Sequence, residues 1–374
     1  MNEITNFFYT TGFAYVGFQN LFMIAIACFI IYLAVSKRYE PLLLMPIGFG
    51  MILANLPGMS EMMQSIYNEG TTLNTLYLGV QRGIYPPLIF MGVGAMTDFS
   101  SLIANPKLVF LGFAGQFGIF ACFMGALLLG FTVNEAATIG IVASSDGPTV
   151  IFLASNLTPH LLGTVALAAY SYMALVPVIQ PPIIKLLTTP KERVIRMKTP
   201  RLVSRKEKIL FPIVAFIVTS FIAPAGAILL GMLFFGNLLR ESGVVERLAN
   251  TARTALIDIC TILIGICIGA TTQGSMFLRS DTLLVIGMGA LGFMLATATG
   301  VLGAKFMNLF LKEKINPIVG AAGLSVVPGS ARVVQKVGQE YDKNNYLLMH
   351  AMAPNVAGVI GSAVVAGVFL GILG

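Results

Sequence analysis

The sequence predicts an all-α polytopic membrane protein of about ten transmembrane helices, with two re-entrant broken segments in an inverted repeat. Three observations predict it: the chain is apolar along most of its length, an aspartate stands beside a Gly-Pro pair inside an apolar run, and the two halves resemble each other. Of the 374 residues, 56% are hydrophobic and only 10% are charged. With a mean hydropathy of +0.86, the chain is too apolar for a soluble globular protein.

Segments 17–36, 75–96, 107–131, 162–184, 255–273, 283–304 and 347–373 are each long enough to cross a hydrocarbon core, which takes about 20 residues. Segments 41–57, 208–222 and 224–239 are shorter and equally apolar. Residues Met1 to Ile4 lack the basic start of a secretory signal, so the first apolar segment is expected to be retained as a span. Cys28, Cys122, Cys260 and Cys267 lie in apolar segments without metal-ligand or CxxC spacing, and read as small lipid or core residues. His160 and His350 are far apart and read as structural.

The net charge of +7 raises nucleic acid as a partner, but its location argues against one. Nine basic residues between Lys185 and Lys208 share one connection with only Glu192 and Glu207. Such a cluster marks a cytoplasmic loop, and it suits docking of an acidic partner. The basic connections at Lys37-Arg38, Arg240 to Arg253 and Lys305 to Lys314 then also face the cytoplasm, and the loop 60–73, with Glu61 and Glu69, faces outside. With the N-terminus outside, segment 162–184 starts outside only if segment 136–157 dips into the membrane and returns.

That dipping segment carries Asp146-Gly147-Pro148-Thr149. An ionisable group at membrane depth is costly and normally faces a cavity, an ion or a partner. The Gly-Pro pair interrupts helical hydrogen bonding and frees carbonyls beside the carboxylate. The competing reading is an acid in a short loop between two spans.

Sliding the chain along itself matches Leu111-Gly112-Phe113 with Leu291-Gly292-Phe293, Gly140 with Gly320, Ser145 with Ser325 and Pro148 with Pro328 at one common offset. Gly94 to Thr97 resembles Gly269 to Thr272, and Gly50-Met51 resembles Gly231-Met232, at slightly different offsets. The expected organisation is a first repeat at 1–184 with re-entrant segment 136–157, a basic cytoplasmic connection at 185–208, and a second repeat at 209–374 with broken segment 316–335. Each half holds an odd number of spans, so the second is expected upside down, with the ion and substrate sites where the broken segments meet.

The second broken segment offers Asn316, Ser325 and Ser330 as neutral oxygens and Arg332 as a fixed positive charge. Arg332 reads either as a carboxylate clamp or as an anchor reaching for headgroups. Asn355, beside Pro354 in the last span, reads as an ion ligand or as a hydrogen bond between helices. Tyr170 and Tyr172 read as interfacial residues or as a proton relay. One carboxylate, two amides, hydroxyls and freed carbonyls suit a hard monovalent cation such as Na⁺ better than a soft metal.

These residues resemble a family, the membrane-embedded beta subunits of sodium-pumping, biotin-dependent decarboxylases acting on oxaloacetate, glutaconyl-CoA or methylmalonyl-CoA. The resemblance covers nearly the whole chain and is strongest at Ser145 to Ser155, Ala169 to Pro177, Thr188 to Arg193, Asn316 to Arg332 and Met349 to Gly361. It implies that Asp146 binds and moves Na⁺, with Gly147, Thr149, Asn316, Gly320, Ser325 and Asn355 in the ion pathway. It further implies that Tyr172 handles the proton consumed when carboxybiotin loses CO₂, and that Arg332 with Ser330 receives the carboxybiotin. The implied cofactors are Na⁺ and biotin carried on a partner.

The implied partners are a biotin carrier subunit, a carboxyltransferase alpha subunit and a small membrane subunit in the inner membrane of a bacterium, with homo-oligomer formation left open. Ser144 and Ser145 precede the acid where relatives often carry Gly or Ala, and the start of the chain points toward an acyl-CoA type of complex. The alternatives are a stand-alone sodium-coupled secondary transporter or Na⁺/H⁺ exchanger, and a passive membrane anchor. Moving one charge against a potential of about 100 mV costs about 2.3 kcal/mol, so outward export needs a driving reaction.

Overall fold

Backbone polar groups in hydrocarbon have to pair within their own segment, and the apolar runs accordingly fold as helices. The computed structural model describes residues 7, 9–58, 65–277 and 279–374, and no strand occurs among them. The α-helices of seven or more residues are α1 (Phe18–Lys37), α2 (Pro41–Asn55), α3 (Thr72–Gln81), α4 (Tyr85–Met96), α5 (Val109–Gly115), α6 (Phe117–Leu128), α7 (Val133–Val142) and α8 (Gly147–Leu157). They continue as α9 (Leu162–Leu187), α10 (Arg205–Ile222), α11 (Ala227–Ser242), α12 (Ile257–Thr271), α13 (Ser280–Phe310), α14 (Gly329–Tyr341) and α15 (Leu348–Leu373).

Among the described residues, six stretches are long and apolar enough to cross a membrane: Phe18–Lys37, Pro106–Leu128, Pro159–Leu187, Glu246–Thr271, Ser280–Phe310 and Leu348–Leu373. The protein is a multi-pass membrane protein. Helices α2, α4, α7 and α8 are apolar but shorter. The segment expected as one span at 75–96 is two helices, because Gly83 turns the chain at φ +63° and Pro86-Pro87 restarts it. Glu61 of the acidic loop lies outside the described residues. All four cysteines are free, Cys28 exposed and the other three buried.

Two helix crossings share one device. A methyl group on Gly50 of α2 would lie 2.2 Å from the Ile266 carbonyl oxygen of α12, and one on Gly269 of α12 would lie 2.1 Å from that of Ile47. In the other crossing, a methyl group on Gly94 of α4 would lie 1.8 Å from the Leu233 carbonyl oxygen of α11, and one on Gly236 would lie 1.9 Å from that of Met91. Only glycine permits such backbone approach. Each crossing ends on an amide: Asn55 donates to the Thr272 carbonyl at 2.7 Å, and Asn237 donates to that of Thr97 at 2.8 Å. Gly236 thus plays the part of Gly50, whereas Gly231, its sequence-based match, packs on the Phe216 ring.

The basic connection is folded onto the helices. Thr189 and Ser204 each form a capping box with the glutamate three residues on. Arg193 is 6% exposed; it donates to Thr188 Oγ1 at 2.8 Å and to the Tyr341 hydroxyl at 2.5 Å, and its guanidinium also reaches the carbonyls of Lys185 and Thr188. Lys185–Glu340 and Arg196–Asp342 ion pairs, at 2.6 and 2.8 Å, hold the same connection to α14 and the residue after it. The Arg196 guanidinium and the Asn344 N–H hold the Asp342 carboxyl below its ordinary value.

Candidate functional site

The Asp146 site is built by a local break. Helix α7 ends at Val142, Ser145 turns into the left-handed region at φ 53°, and Asp146 caps α8, with Pro148 in the first turn where its missing N–H costs nothing. Asp146 is 4% exposed. Its Oδ2 accepts from Thr149 Oγ1 at 2.7 Å and from Ser362 Oγ of α15 at 2.8 Å. No basic side chain pairs with it among the described residues. Gly147 gives room to an aromatic ring, since a methyl group there would lie 2.3 Å from Tyr170 Cε1.

The second broken segment runs as a 3₁₀ helix (Pro317–Gly323), an extended stretch, and then α14. Its extended stretch is clasped by α15: Ser325 Oγ donates to the Gly358 carbonyl at 2.9 Å, and Asn355 donates to the carbonyls of Leu324 and Val326 at 2.6 and 3.1 Å. Gln116, at the junction of α5 and α6, donates to the carbonyls of Gly112 and Gly358 at 3.1 and 3.4 Å. Several buried oxygens here have no hydrogen-bond partner: Gln116 Oε1, Asn355 Oδ1, Ser145 Oγ and the Tyr170 hydroxyl. Buried polar atoms are nearly always paired, so orphaned acceptors in apolar surroundings mark a place for a ligand or water.

A cavity of about 230 Å³ connects the two breaks. Asp146, Tyr170 and Ser325 line it, and so do Glu40, Arg253 and Asp258. The first three sit among the buried helices, while Glu40 and Asp258 are exposed, which makes that end the mouth. A π-helical turn (Ala252–Leu256) stands at the mouth, the kind of helix irregularity that often accompanies function. The Glu40 carboxyl, solvent-accessible yet set against apolar walls, is raised from its ordinary value by lost hydration, and the Arg332 charge partly offsets that.

The structure brings Asp146, Gly147, Thr149, Ser325 and Asn355 around the two breaks. It puts others elsewhere. Asn316 caps the 3₁₀ turn and donates to the backbone carbonyls of Arg193 and Ile195, both at 2.9 Å, which ties the basic connection down. Tyr172 turns away from Asp146: its hydroxyl donates to the Ile286 carbonyl, and its ring stacks on Phe293 at 6.4 Å. Ser330 is buried with an unpartnered hydroxyl and does not line the Asp146 cavity. Arg332 is exposed and lines a separate open cavity of about 450 Å³ with Gln335 and Lys336. Ser362 and Gln116 were not singled out in the sequence, where a lone small or amide residue in an apolar run gives no periodic signal.

The family model described as Na⁺-transporting oxaloacetate decarboxylase beta subunit matches residues 19–373. The methylmalonyl-CoA decarboxylase subunit beta of Propionigenium modestum is 52% identical, covering 100% of both chains. The glutaconyl-CoA decarboxylase subunit beta of Acidaminococcus fermentans is 48% identical over 99% of this chain and 98% of its own. The oxaloacetate decarboxylase beta chain of Klebsiella pneumoniae is 46% identical over 96% of each. A match of this length and identity includes both broken segments, the carboxylate in the first of them and the helices that enclose it: the chain belongs to the family of Na⁺-transporting decarboxylase beta subunits, membrane components of multi-subunit decarboxylases.

Proposed function

We propose that this subunit couples decarboxylation of carboxybiotin, delivered by a biotin carrier subunit, to export of Na⁺ from Asp146. The observation that carries the proposal is the cavity that leads from Glu40 and Asp258 to Asp146 and Ser325. Its mouth lies beside the basic connections, which the positive-inside rule assigns to the cytoplasm. Na⁺ enters there past two carboxylates. Asp146 then neutralises it, and the Thr149 and Ser362 hydroxyl oxygens join it in an oxygen shell. Gln116 Oε1 and Asn355 Oδ1, buried and unpartnered, are further ligands available to it.

Arg332 and Lys336, in the open cavity, hold the carboxylate of the incoming group. Carboxybiotin supplies an N–CO₂⁻ bond whose breakage releases CO₂ and leaves the electron pair on the ring nitrogen, which takes up a proton. The Tyr170 hydroxyl, unpartnered beside the Asp146 carboxylate, and Tyr172 two residues on are the two relay positions in α9. Ser330 adds a hydroxyl at the start of α14, and Asn316 anchors the segment that α14 continues.

The same reading gives the chain about ten spans and two re-entrant segments in an inverted repeat, in the inner membrane of a bacterium. Support comes from the matched glycine crossings, in which α2 with α12 and α4 with α11 exchange equivalent roles. The carboxyltransferase alpha subunit, the biotin carrier and the small membrane subunit complete the complex. A stand-alone transporter is not favoured by the relatives, which are all subunits of decarboxylases.

The test is decarboxylation of free carboxybiotin by the purified chain with its small membrane partner in proteoliposomes. Sodium-stimulated CO₂ release coupled to movement of radiolabelled Na⁺, lost in Asp146→Asn, is expected. Sodium exchange without CO₂ release refutes the coupled reaction. Arg332→Ala is expected to impair carboxybiotin handling more than Na⁺ affinity.

A further inference from the structure

A third cavity lies apart from both the Asp146 cavity and the Arg332 cavity and shares no lining residue with either. It holds about 130 Å³ at the junction of three connections and the start of α15. Lys107 comes from the turn before α5, Lys198 from the basic connection, and Lys314 from the loop after α13. Segments far apart in sequence thus bring three ammonium groups to one place. The acid there, Glu313, is ion-paired with Lys198. Lys314 donates to the Asn308 carbonyl, which positions it without neutralising it. Lys107 has no ion-pair partner among the described residues.

His350, in the first turn of α15, lines the same cavity and is 4% exposed. Its Nδ1 is buried without a hydrogen-bond partner. A neutral imidazole carries one donor and one acceptor, and such a buried group normally finds partners for them. A cationic pocket with an unsatisfied imidazole in its wall is built for an acceptor-rich anion.

We infer that Lys107, Lys198, Lys314 and His350 form a binding site for a phosphate-bearing anion. At about 130 Å³ the cavity is several times the space one water needs, and it has room for one phosphate group. Three lysines against one glutamate leave an excess of two positive charges, matching a phosphate. Met197 and Leu311, half-buried in the same lining, give apolar support beside the charges. Basic pockets at the cytoplasmic ends of spanning helices take anionic lipid headgroups, and the ends of α13 and α15 flank this one. Free phosphate offers the same chemistry.

The site touches Ile315, which leads directly into Asn316 and the second broken segment. Asn308 already pins this loop by bonding the Ile315 N–H and carbonyl, both at 2.8 Å. An anion bridging Lys314, Lys107 and His350 would fasten the same loop to α5 and α15, and so steady the entry to that segment.

The experiment measures thermal stability of the purified full chain in mixed micelles of phosphatidylcholine with or without cardiolipin. A parallel series titrates inorganic phosphate against chloride at constant ionic strength. Native mass spectrometry counts retained lipid. The expected result is stabilisation by a phosphate-bearing anion, with affinity falling about fivefold for Lys107→Gln and for Lys314→Gln. His350→Gln is expected to weaken it as well, and Lys37→Gln, at a position that does not line the pocket, to leave it unchanged. Stabilisation by cardiolipin alone identifies a headgroup site, and equal stabilisation by inorganic phosphate identifies a site for the free anion. The inference is overturned if neither ligand stabilises the protein, or if Lys107→Gln and Lys314→Gln bind as the parent does.

Discussion

Replacing Ser362 with alanine isolates what α15 contributes to the buried carboxylate. Asp146 Oδ2 accepts from two hydroxyls, Thr149 at 2.7 Å and Ser362 at 2.8 Å. A hydrogen bond to a charged group contributes about 1.5–3 kcal/mol. The Ser362 hydroxyl also lies 3.0 Å from the Val359 carbonyl, an alternative acceptor that lowers the net loss to about 1.5–2 kcal/mol. Under the proposed function its oxygen is in addition a ligand that the bound Na⁺ loses. Together these raise the half-saturating Na⁺ concentration roughly 10- to 30-fold while turnover at saturating Na⁺ stays close to the parent's. The assay is Na⁺-dependent decarboxylation and radiolabelled Na⁺ uptake by the reconstituted complex. Thr149→Val, which removes the other hydroxyl and nearly preserves shape, shifts the curve in the same direction. A Ser362→Ala curve superimposable on the parent's refutes the participation of α15 in the ion site.

Other expectations follow from the packing. Arg193→Lys cannot reproduce the planar fork that spans Thr188, Tyr341 and the Lys185 carbonyl, and it loosens the basic connection by roughly 1.5–3 kcal/mol; faster tryptic cleavage within 185–208 is the readout, and parental resistance refutes it. Gly236→Leu puts a side chain 1.9 Å from the Met91 carbonyl oxygen, so the helices part by about 1.4 Å to restore an ordinary contact of about 3.3 Å; detergent-stable protein is lost on size-exclusion chromatography, whereas Gly231→Ala, facing the edge of the Phe216 ring, survives. The Glu207 carboxyl is pulled down to about 2 by Arg201 and the Ser204 cap. Its folded value lies below its ordinary 4.5, so its contribution is present above that value and disappears as pH falls through about 2. A spin label at position 202 is therefore ordered at neutral pH and mobile near that lower limit, and an unchanged spectrum refutes the lock.

The apolar runs, the break at Asp146 and the basic connection were legible because each is a local property: hydropathy over a span, a Gly-Pro pair, a cluster of one charge. The interruption at Gly83 was less so: Gln81-Arg82 and the two prolines mark it in an otherwise apolar run, but the positive φ that turns the chain comes only with the fold. Partners from distant segments were not legible. Ser362 looks like any small residue of a tightly packed span, and its meaning comes from α8 lying against α15. Tyr170 and Tyr172 stand two apart in one helix and therefore point in different directions, a distinction the backbone makes and composition does not. Arg193 reads as one of many loop cations until the fold buries it against Tyr341.

The glycine crossings bear on how the chain is made. Helices α2 and α4 present their glycine faces long before α11 and α12 have left the ribosome, and each fits a carbonyl that arrives only with the second half. Until then α2 has α1 to pack on, through Gly48 against Ile31, but the faces carrying Gly50 and Gly94 lack the carbonyls they fit. The surroundings of Asp146 are likewise completed late: α15, which follows both broken segments, brings Ser362 and Asn355. A chain cut before α15 lacks the serine that grips Asp146, and under the proposed function the membrane is spared a half-built sodium path.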